Sequence, residues 1–239
     1  KWPYAMVLGA SGKRLYVTDN DRNTLVVVDV ERQAVVRTIT GEPFATGLDG
    51  CPGNMCRGRG ASGVYVSPDE RYAYVASMRE NGLARIDLNS GAIVDGVTLG
   101  RFPRAIVASA SNDRLYVLNS VDDTISVVSL AHWPQVIATL PLGDHDASGV
   151  EFGRALSMWL SPDGRRVAWT AAPYGREGEH PETGIWLARV DGSAPARRWT
   201  HGGDDVSPRW SPDGSRLAFM SDREERGTHG LYVLDSDGG

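Results

Sequence analysis

The chain has 239 residues, 41% of them apolar and 23% charged, with a net charge of −5 at neutral pH. That leaves room for one large domain or two small ones, is too apolar for disorder, and is too acidic for a protein that coats nucleic-acid phosphates. No apolar run reaches the roughly 20 residues of a membrane helix, and Lys1 is followed by no apolar signal segment, so a mature, cut chain or a piece of a longer one is expected.

A strand is predicted over Tyr4–Leu8, and a turn beginning at Gly9 leads into a second strand, Leu15-Tyr-Val-Thr. A third follows at Thr24–Asp29 and a weaker fourth at Ala34–Ile39. The same order returns four more times. The turns begin at Ser67, Ser109, Ser161 and Ser211, and three of these read Ser-Pro-Asp. Pro presets φ in such a turn, Asp bonds its own downstream backbone, and Gly takes positive φ freely. The third strands recur at Gly82–Asp87, Thr124–Ser129, Gly184–Arg189 and Gly230–Asp235, and the fourth strands at Ala92–Leu99, Gln135–Leu140 and Ala196–Thr200. The β-branched and aromatic runs suit a pleated, buried surface, and no segment holds a capped helical period. Anchored on Arg14, Tyr72, Arg114, Arg166 and Arg216, the repeats are 58, 42, 52 and 50 residues apart, a mean of 50.5. This is the spacing of four-stranded propeller blades.

The expected fold is therefore all-β: a single β-propeller domain over residues 1–239, with blades at about 1–40, 41–99, 100–143, 144–202 and 203–239. The fifth unit stops at the turn after its third strand, so about five blades are expected, the last lacking its fourth strand. A fragment of a propeller of seven or eight blades explains this, and a five-blade ring with an imperfect seam is the alternative.

Tyr16-Val-Thr-Asp-Asn with Asn23-Thr-Leu-Val-Val-Val-Asp, and Leu115-Tyr-Val-Leu-Asn with Asp123-Thr-Ile-Ser-Val-Val, make residues about 4–143 resemble the YVTN family of propeller repeats. That resemblance implies an extracytoplasmic or surface-associated propeller. Ser161-Pro-Asp-Gly-Arg-Arg-Val-Ala-Trp and Ser207-Pro-Arg-Trp-Ser-Pro-Asp-Gly-Ser-Arg-Leu-Ala-Phe make residues about 155–239 resemble the TolB-type repeat. The same repeat builds the N-terminal propeller of prolyl oligopeptidase-family serine peptidases. It implies either an envelope interaction protein or the substrate-gating propeller of a cytoplasmic peptidase whose hydrolase domain lies outside this chain.

Catalysis by the chain itself is not expected. A serine hydrolase of that type needs a nucleophile elbow, G-x-S-x-G, and the nearest misses, Ser11 and Ser62, have Lys13 and Val64 where the second Gly belongs. No cofactor is implied. Arg57-Gly-Arg-Gly lacks the spacing and the Lys-Ser/Thr of a phosphate loop, and reads as a solvated loop or as an anion-contacting one. Cys51 and Cys56 flank Pro-Gly-Asn-Met; a local disulfide is the favoured reading and two reduced thiols the alternative, while no His or second Cys pair stands at zinc spacing.

The functional expectation rests on the loops. The segments joining one blade to the next and the turns between second and third strands share one face of a propeller, and the long ones here (41–63, 143–154, 173–183, 222–228) all belong to it. Arg57, Arg59, Arg101, Arg104, His145, Asp146, Glu151 and His201 fall on that face and are the candidate ligand-binding residues for a protein or small-molecule partner. Arg104 leads them, because it opens a first strand after Phe102-Pro103 and can reach a carboxylate or phosphate bidentately. No metal site is assigned. Trp169, Trp186 and Trp210 are expected in the core, with Trp2, Trp133 and Trp199 partly exposed.

Overall fold

The turns that punctuate the sequence fold alike. Asp69, Asp163 and Asp213 each accept the hydroxyl of the Ser two residues earlier and a backbone N–H two residues later. The residue that closes the turn is left-handed in all five repeats: Gly12, Glu70, Asn112, Gly164 and Gly214 have φ between 52° and 72°. Glu70 is the unlikely occupant of such a position. Its carboxylate explains it by accepting the Ser11 N–H at 2.6 Å and the Tyr16 hydroxyl at 3.1 Å, which ties the second repeat to the first.

The computed structural model describes residues 3–40, 60–142, 155, 157–171 and 182–236. These hold nineteen strands and no helix. They are β1 (Pro3–Leu8), β2 (Arg14–Asp19), β3 (Thr24–Asp29), β4 (Ala34–Thr40), β5 (Ala61–Val66), β6 (Tyr72–Ser77), β7 (Gly82–Asp87), β8 (Ile93–Thr98), β9 (Pro103–Ala108), β10 (Arg114–Asn119), β11 (Thr124–Ser129), β12 (Gln135–Pro141), β13 (Ser157–Leu160), β14 (Arg166–Ala171), β15 (Gly184–Arg189), β16 (Arg197–Arg198), β17 (Val206–Trp210), β18 (Arg216–Glu225) and β19 (Thr228–Asp235). They pair into five up-and-down antiparallel sheets, four of four strands and the last, β17-β18-β19, of three. This is the all-β blade arrangement expected from the repeats.

Two regions differ from expectation by more than one residue. β16 covers two residues rather than Ala196–Thr200, because the Thr200 hydroxyl takes the Ile185 N–H at 3.0 Å that a ladder carbonyl would have taken. The expected loop at 222–228 is instead a hairpin. β18 runs on to Glu225 opposite Thr228, and the turn is closed by Gly227, whose φ is 85° and whose N–H donates to the Asp222 carboxylate.

The chain divides into two compact units. The first comprises residues 1–108, 112–122 and 126–138, and the second 109–111, 123–125 and 139–239. In the first unit, Tyr16, Leu25, Val27 and Ile39 of the first sheet close on Val64, Val66, Ala73, Val75, Ala84 and Ile86 of the second. The second sheet's other face, Tyr74, Ala76 and Leu83, closes on Leu115, Val117 and Val128 of the third. In the second unit, Ala168, Ile185 and Leu187 close on Leu217 and Phe219. Trp169 and Trp186 are buried as expected, and Trp133 and Trp199 are half-buried. Trp210 departs from expectation: it is half-buried, its ring covered by the Arg166 guanidinium at 5.0 Å.

These turns make stability sensitive to acid. The Ser211 hydroxyl and the Ser215 N–H hold the Asp213 carboxyl down to about 2 from 3.8, and the Ser67 and Ser161 hydroxyls chiefly lower Asp69 and Asp163. A carboxyl whose folded pKa is depressed adds stability above its unfolded value and loses it as pH falls toward the folded one. Denaturant midpoints should therefore fall between about pH 4 and pH 2. Asp213→Asn should flatten that fall; an unchanged slope in the variant would remove the turn from the explanation.

Candidate functional site

Three first strands lie side by side in the first unit, with β5 packed against both β1 and β9. Hydroxyls inside the protein hold them there. Ser62, fully buried, donates to the Pro103 carbonyl at 2.7 Å, and Thr18 donates to the Ser62 carbonyl at 2.6 Å while accepting the Ala5 N–H at 3.1 Å. The Asn20 amide donates to the Ala61 carbonyl at 2.9 Å, and Gly60 donates back to the Asn20 carbonyl at 3.0 Å. A buried polar group is tolerated only when paired, so these bonds fix how the strands enter. Each of the three begins with a register shift, a bulge that turns its first side chains away from the regular pleat.

Gly63 sets how close β5 and β9 come. A Cβ there would sit 2.8 Å from the Arg104 carbonyl oxygen and 2.9 Å from Ile106 Cγ1. Gly63→Ala should cost about 1–3 kcal/mol, the range for overpacking. Urea titration of the purified variant measures it, and an unchanged midpoint would mean that β9 yields freely.

Arg101 and Arg104 flank Phe102-Pro103 on this end. Phe102 is buried with φ of 60°, an uncommon conformation for a bulky residue. Its N–H donates to the Asn81 side chain at 2.9 Å, and its carbonyl accepts the Ser120 N–H at 3.0 Å. Arg101 is exposed and engaged locally: its N–H reaches Asp122 at 2.7 Å, and its guanidinium pairs with the same carboxylate. Arg104 is different. Half-buried on β9, it donates from Nε to the Tyr4 hydroxyl on β1, with its guanidinium carbon 5.6 Å from the Tyr4 ring centre. Among the described residues its two terminal nitrogens have no partner. A guanidinium held by Nε and a ring, with its planar end open, is arranged to receive a carboxylate or phosphate.

His201 is exposed between β16 and β17, in the second unit. Arg57, Arg59, His145, Asp146 and Glu151 lie outside the described residues, as do Cys51 and Cys56. Among the described residues no three His, Cys, Asp or Glu side chains converge as a metal site.

The second unit shows ties that the sequence did not announce. Asp205 is wholly buried and pairs with Arg223 at 3.1 Å, while Arg223 lies over the Phe219 and Tyr232 rings at 5.0 and 4.7 Å. Asp204 accepts the Thr183 N–H at 3.1 Å and lies 3.7 Å from His229. These carboxylates organise the chain entry into β17. Tyr4 was likewise unmarked in the sequence; the only hint was its place at the start of a first strand, the same repeat position as Arg104.

The comparisons agree with this architecture. A search of curated proteins finds an uncharacterized peptidase YuxL of Bacillus subtilis, 40% identical over 82 residues, which are 33% of this chain and 12% of that protein. It also finds the Tol-Pal system protein TolB of Thioalkalivibrio sulfidiphilus, 31% identical over 150 residues, 62% of this chain and 32% of that protein. The matched segments thus span less than a third of either relative's length. Among solved structures, Kuenenia stuttgartiensis hydrazine synthase superposes with a TM-score of 0.56 over 98% of this chain and 77% of that one, at 15% identity, a likeness of fold alone. The family model described as "Lactonase, 7-bladed beta-propeller" matches residues 3–133. With more than half of its length under that model and its strands paired as blades, the chain belongs to the lactonase seven-bladed β-propeller family.

Proposed function

We propose that this chain is a non-catalytic propeller module that binds an anionic ligand, a small molecule or a carboxylate of a protein partner, at the loop end of β1, β5 and β9. Arg104 is the anchor. The observation that carries the reading is its guanidinium, seated on Tyr4 with its terminal nitrogens open among the described residues. Arg57 and Arg59 of the same unit join the reading through their charge and loop position in the sequence. An extracytoplasmic location fits the similarity to a Tol-Pal protein.

The test is calorimetric titration with gluconate, citrate and inorganic phosphate. Binding by the native chain that falls at least tenfold in Arg104→Ala, and is not restored in Arg104→Lys, is the expected result, since losing a charge-assisted bidentate contact costs about 1.5–3 kcal/mol. Affinities identical in all three proteins would end the reading.

A second reading has its own support. The 40% identity with a peptidase over 82 residues favours a gating propeller for a serine hydrolase encoded in the same polypeptide. Labelling of the full gene product by a serine-directed fluorophosphonate would favour it; a product without a reactive serine would remove it.

A further inference from the structure

One three-residue corner is built twice in this chain. Phe102-Pro103-Arg104 leads into β9, and Ser207-Pro208-Arg209 lies in β17. In each, a residue other than glycine has positive φ, 60° at Phe102 and 54° at Ser207. A buried Pro follows, then an Arg, and the strand ladder shifts register there. Positive φ in such residues is uncommon, persists only where the surroundings enforce it, and gathers at functional positions. In the first unit the corner brings Arg104 onto the Tyr4 ring. In the second it sets the Arg209 guanidinium 4.9 Å from the centre of the Trp159 ring on β13. The Trp210 indole N–H donates to the Trp159 carbonyl at 3.3 Å, which ties β17 to β13 beside that ring.

Arg209 is exposed, and one terminal nitrogen anchors it: Nη1 donates to the Pro208 carbonyl at 2.8 Å. Among the described residues Nε and Nη2 have no partner, and the side chain is in no ion pair. These two nitrogens form the guanidinium edge that carries two parallel N–H groups. Another arginine of the same chain shows what that edge accepts. Arg85 lies 5.4 Å from the centre of the Trp133 ring and uses Nε and Nη2 to hold both Asp95 oxygens, at 3.0 and 2.6 Å. Arg209 on Trp159 repeats the guanidinium-on-indole half of that arrangement. The electron-rich ring face holds the cation in place and leaves its edge pointing outward.

We infer that Arg209, seated on Trp159, is a carboxylate-binding site of the second unit, taking both carboxylate oxygens through Nε and Nη2. Arg104 belongs to the first unit, so this goes beyond the reading built on Arg104 and does not depend on it. A carboxylate fits because its two oxygens match two parallel N–H groups and its single charge balances one guanidinium. A phosphate dianion would leave a charge uncompensated there, and a chloride would use the fork at one point only. The carboxylate can belong to a free small molecule or to an acidic side chain of a peptide, and the two sources are separable by experiment.

Nitrogen-15 NMR of the whole chain tests this by following the arginine Nε–H signals, with that of Arg209 assigned by its loss in Arg209→Lys. The probes are acetate and the blocked peptide acetyl-Gly-Asp-Gly-amide, each titrated against sodium chloride at equal ionic strength to remove screening effects. The Arg209 signal should shift saturably with a carboxylate and not with chloride. A response to acetate alone supports a small-molecule ligand, a response to the peptide alone an acidic protein segment, and a response to both a site that reads the carboxylate whatever carries it. The Trp159 indole N–H, assigned by its loss in Trp159→Phe, reports binding in the variants. Arg209→Lys, which keeps the charge and loses the fork, should bind at least tenfold more weakly, while Arg104→Ala should bind like the native chain. Arg209→Gln takes its place should Arg209→Lys fail to fold, as judged by its thermal melt. An Arg209 signal that ignores both carboxylates or follows chloride equally, native affinity in Arg209→Lys, or an equal loss in Arg104→Ala would each overturn the inference.

Discussion

Trp169→Ala lowers the unfolding free energy by about 3–5 kcal/mol, the range for removing a large aromatic side chain from a packed interior. Trp169 is 1% exposed on β14, paired across the sheet with Met158 and Trp186, and its ring lies 6.4 Å from that of Trp186 at an interplanar angle of 21°. The cost has two parts, the lost transfer of the indole out of water and the cavity that the rigid sheet cannot fully close. Trp169→Phe keeps much of the volume and should cost less than half as much. Urea titration followed by tryptophan fluorescence and by circular dichroism measures both variants. A loss below about 1 kcal/mol for the alanine variant would show that the site refills.

Asp95→Ala is expected to cost about 2–3 kcal/mol, because three donors lose one acceptor group. Arg85 donates to both Asp95 oxygens, from Nε at 3.0 Å and from Nη2 at 2.6 Å, and the Trp133 indole N–H donates to Asp95 Oδ1 at 2.7 Å. The Arg85 guanidinium is also fitted between aromatic rings, 4.9 Å from the centre of Tyr72 and 5.4 Å from that of Trp133. With side chains only 22% and 32% exposed, water replaces these bonds poorly. A double-mutant cycle with Arg85→Ala isolates the pair. If the double variant is as stable as the native chain, the cluster serves alignment of β7, β8 and the β11–β12 turn rather than net stability.

The strands were legible because their causes are local. Ser-Pro-Asp turns, left-handed positions every repeat, and β-branched runs act over four to eight residues. They placed Thr24–Asp29, Gly82–Asp87, Thr124–Ser129 and Gly184–Arg189 at the bounds seen in the structure. Where the backbone's partner is a side chain from elsewhere, local signals fail. The Thr200 hydroxyl shortened β16, and the Asp222 carboxylate turned an expected loop into a hairpin.

The candidate site divides the same way. The sequence marked Arg104, an arginine at the mouth of a first strand, and placed Arg101 beside it. It carried no sign that Arg101 would be taken up by Asp122, twenty-one residues on, or that Arg104 would rest on Tyr4, a hundred residues earlier. Nor did it distinguish the buried Asp205 from the half-buried Asp204 beside it. Period, turn chemistry and strand order follow from interactions between residues near in the chain, so the order of residues alone determines them. Which polar groups neutralise one another, and which apolar faces close on each other, depends on surfaces brought together across whole repeats. Those outcomes follow from the packing of sheet on sheet.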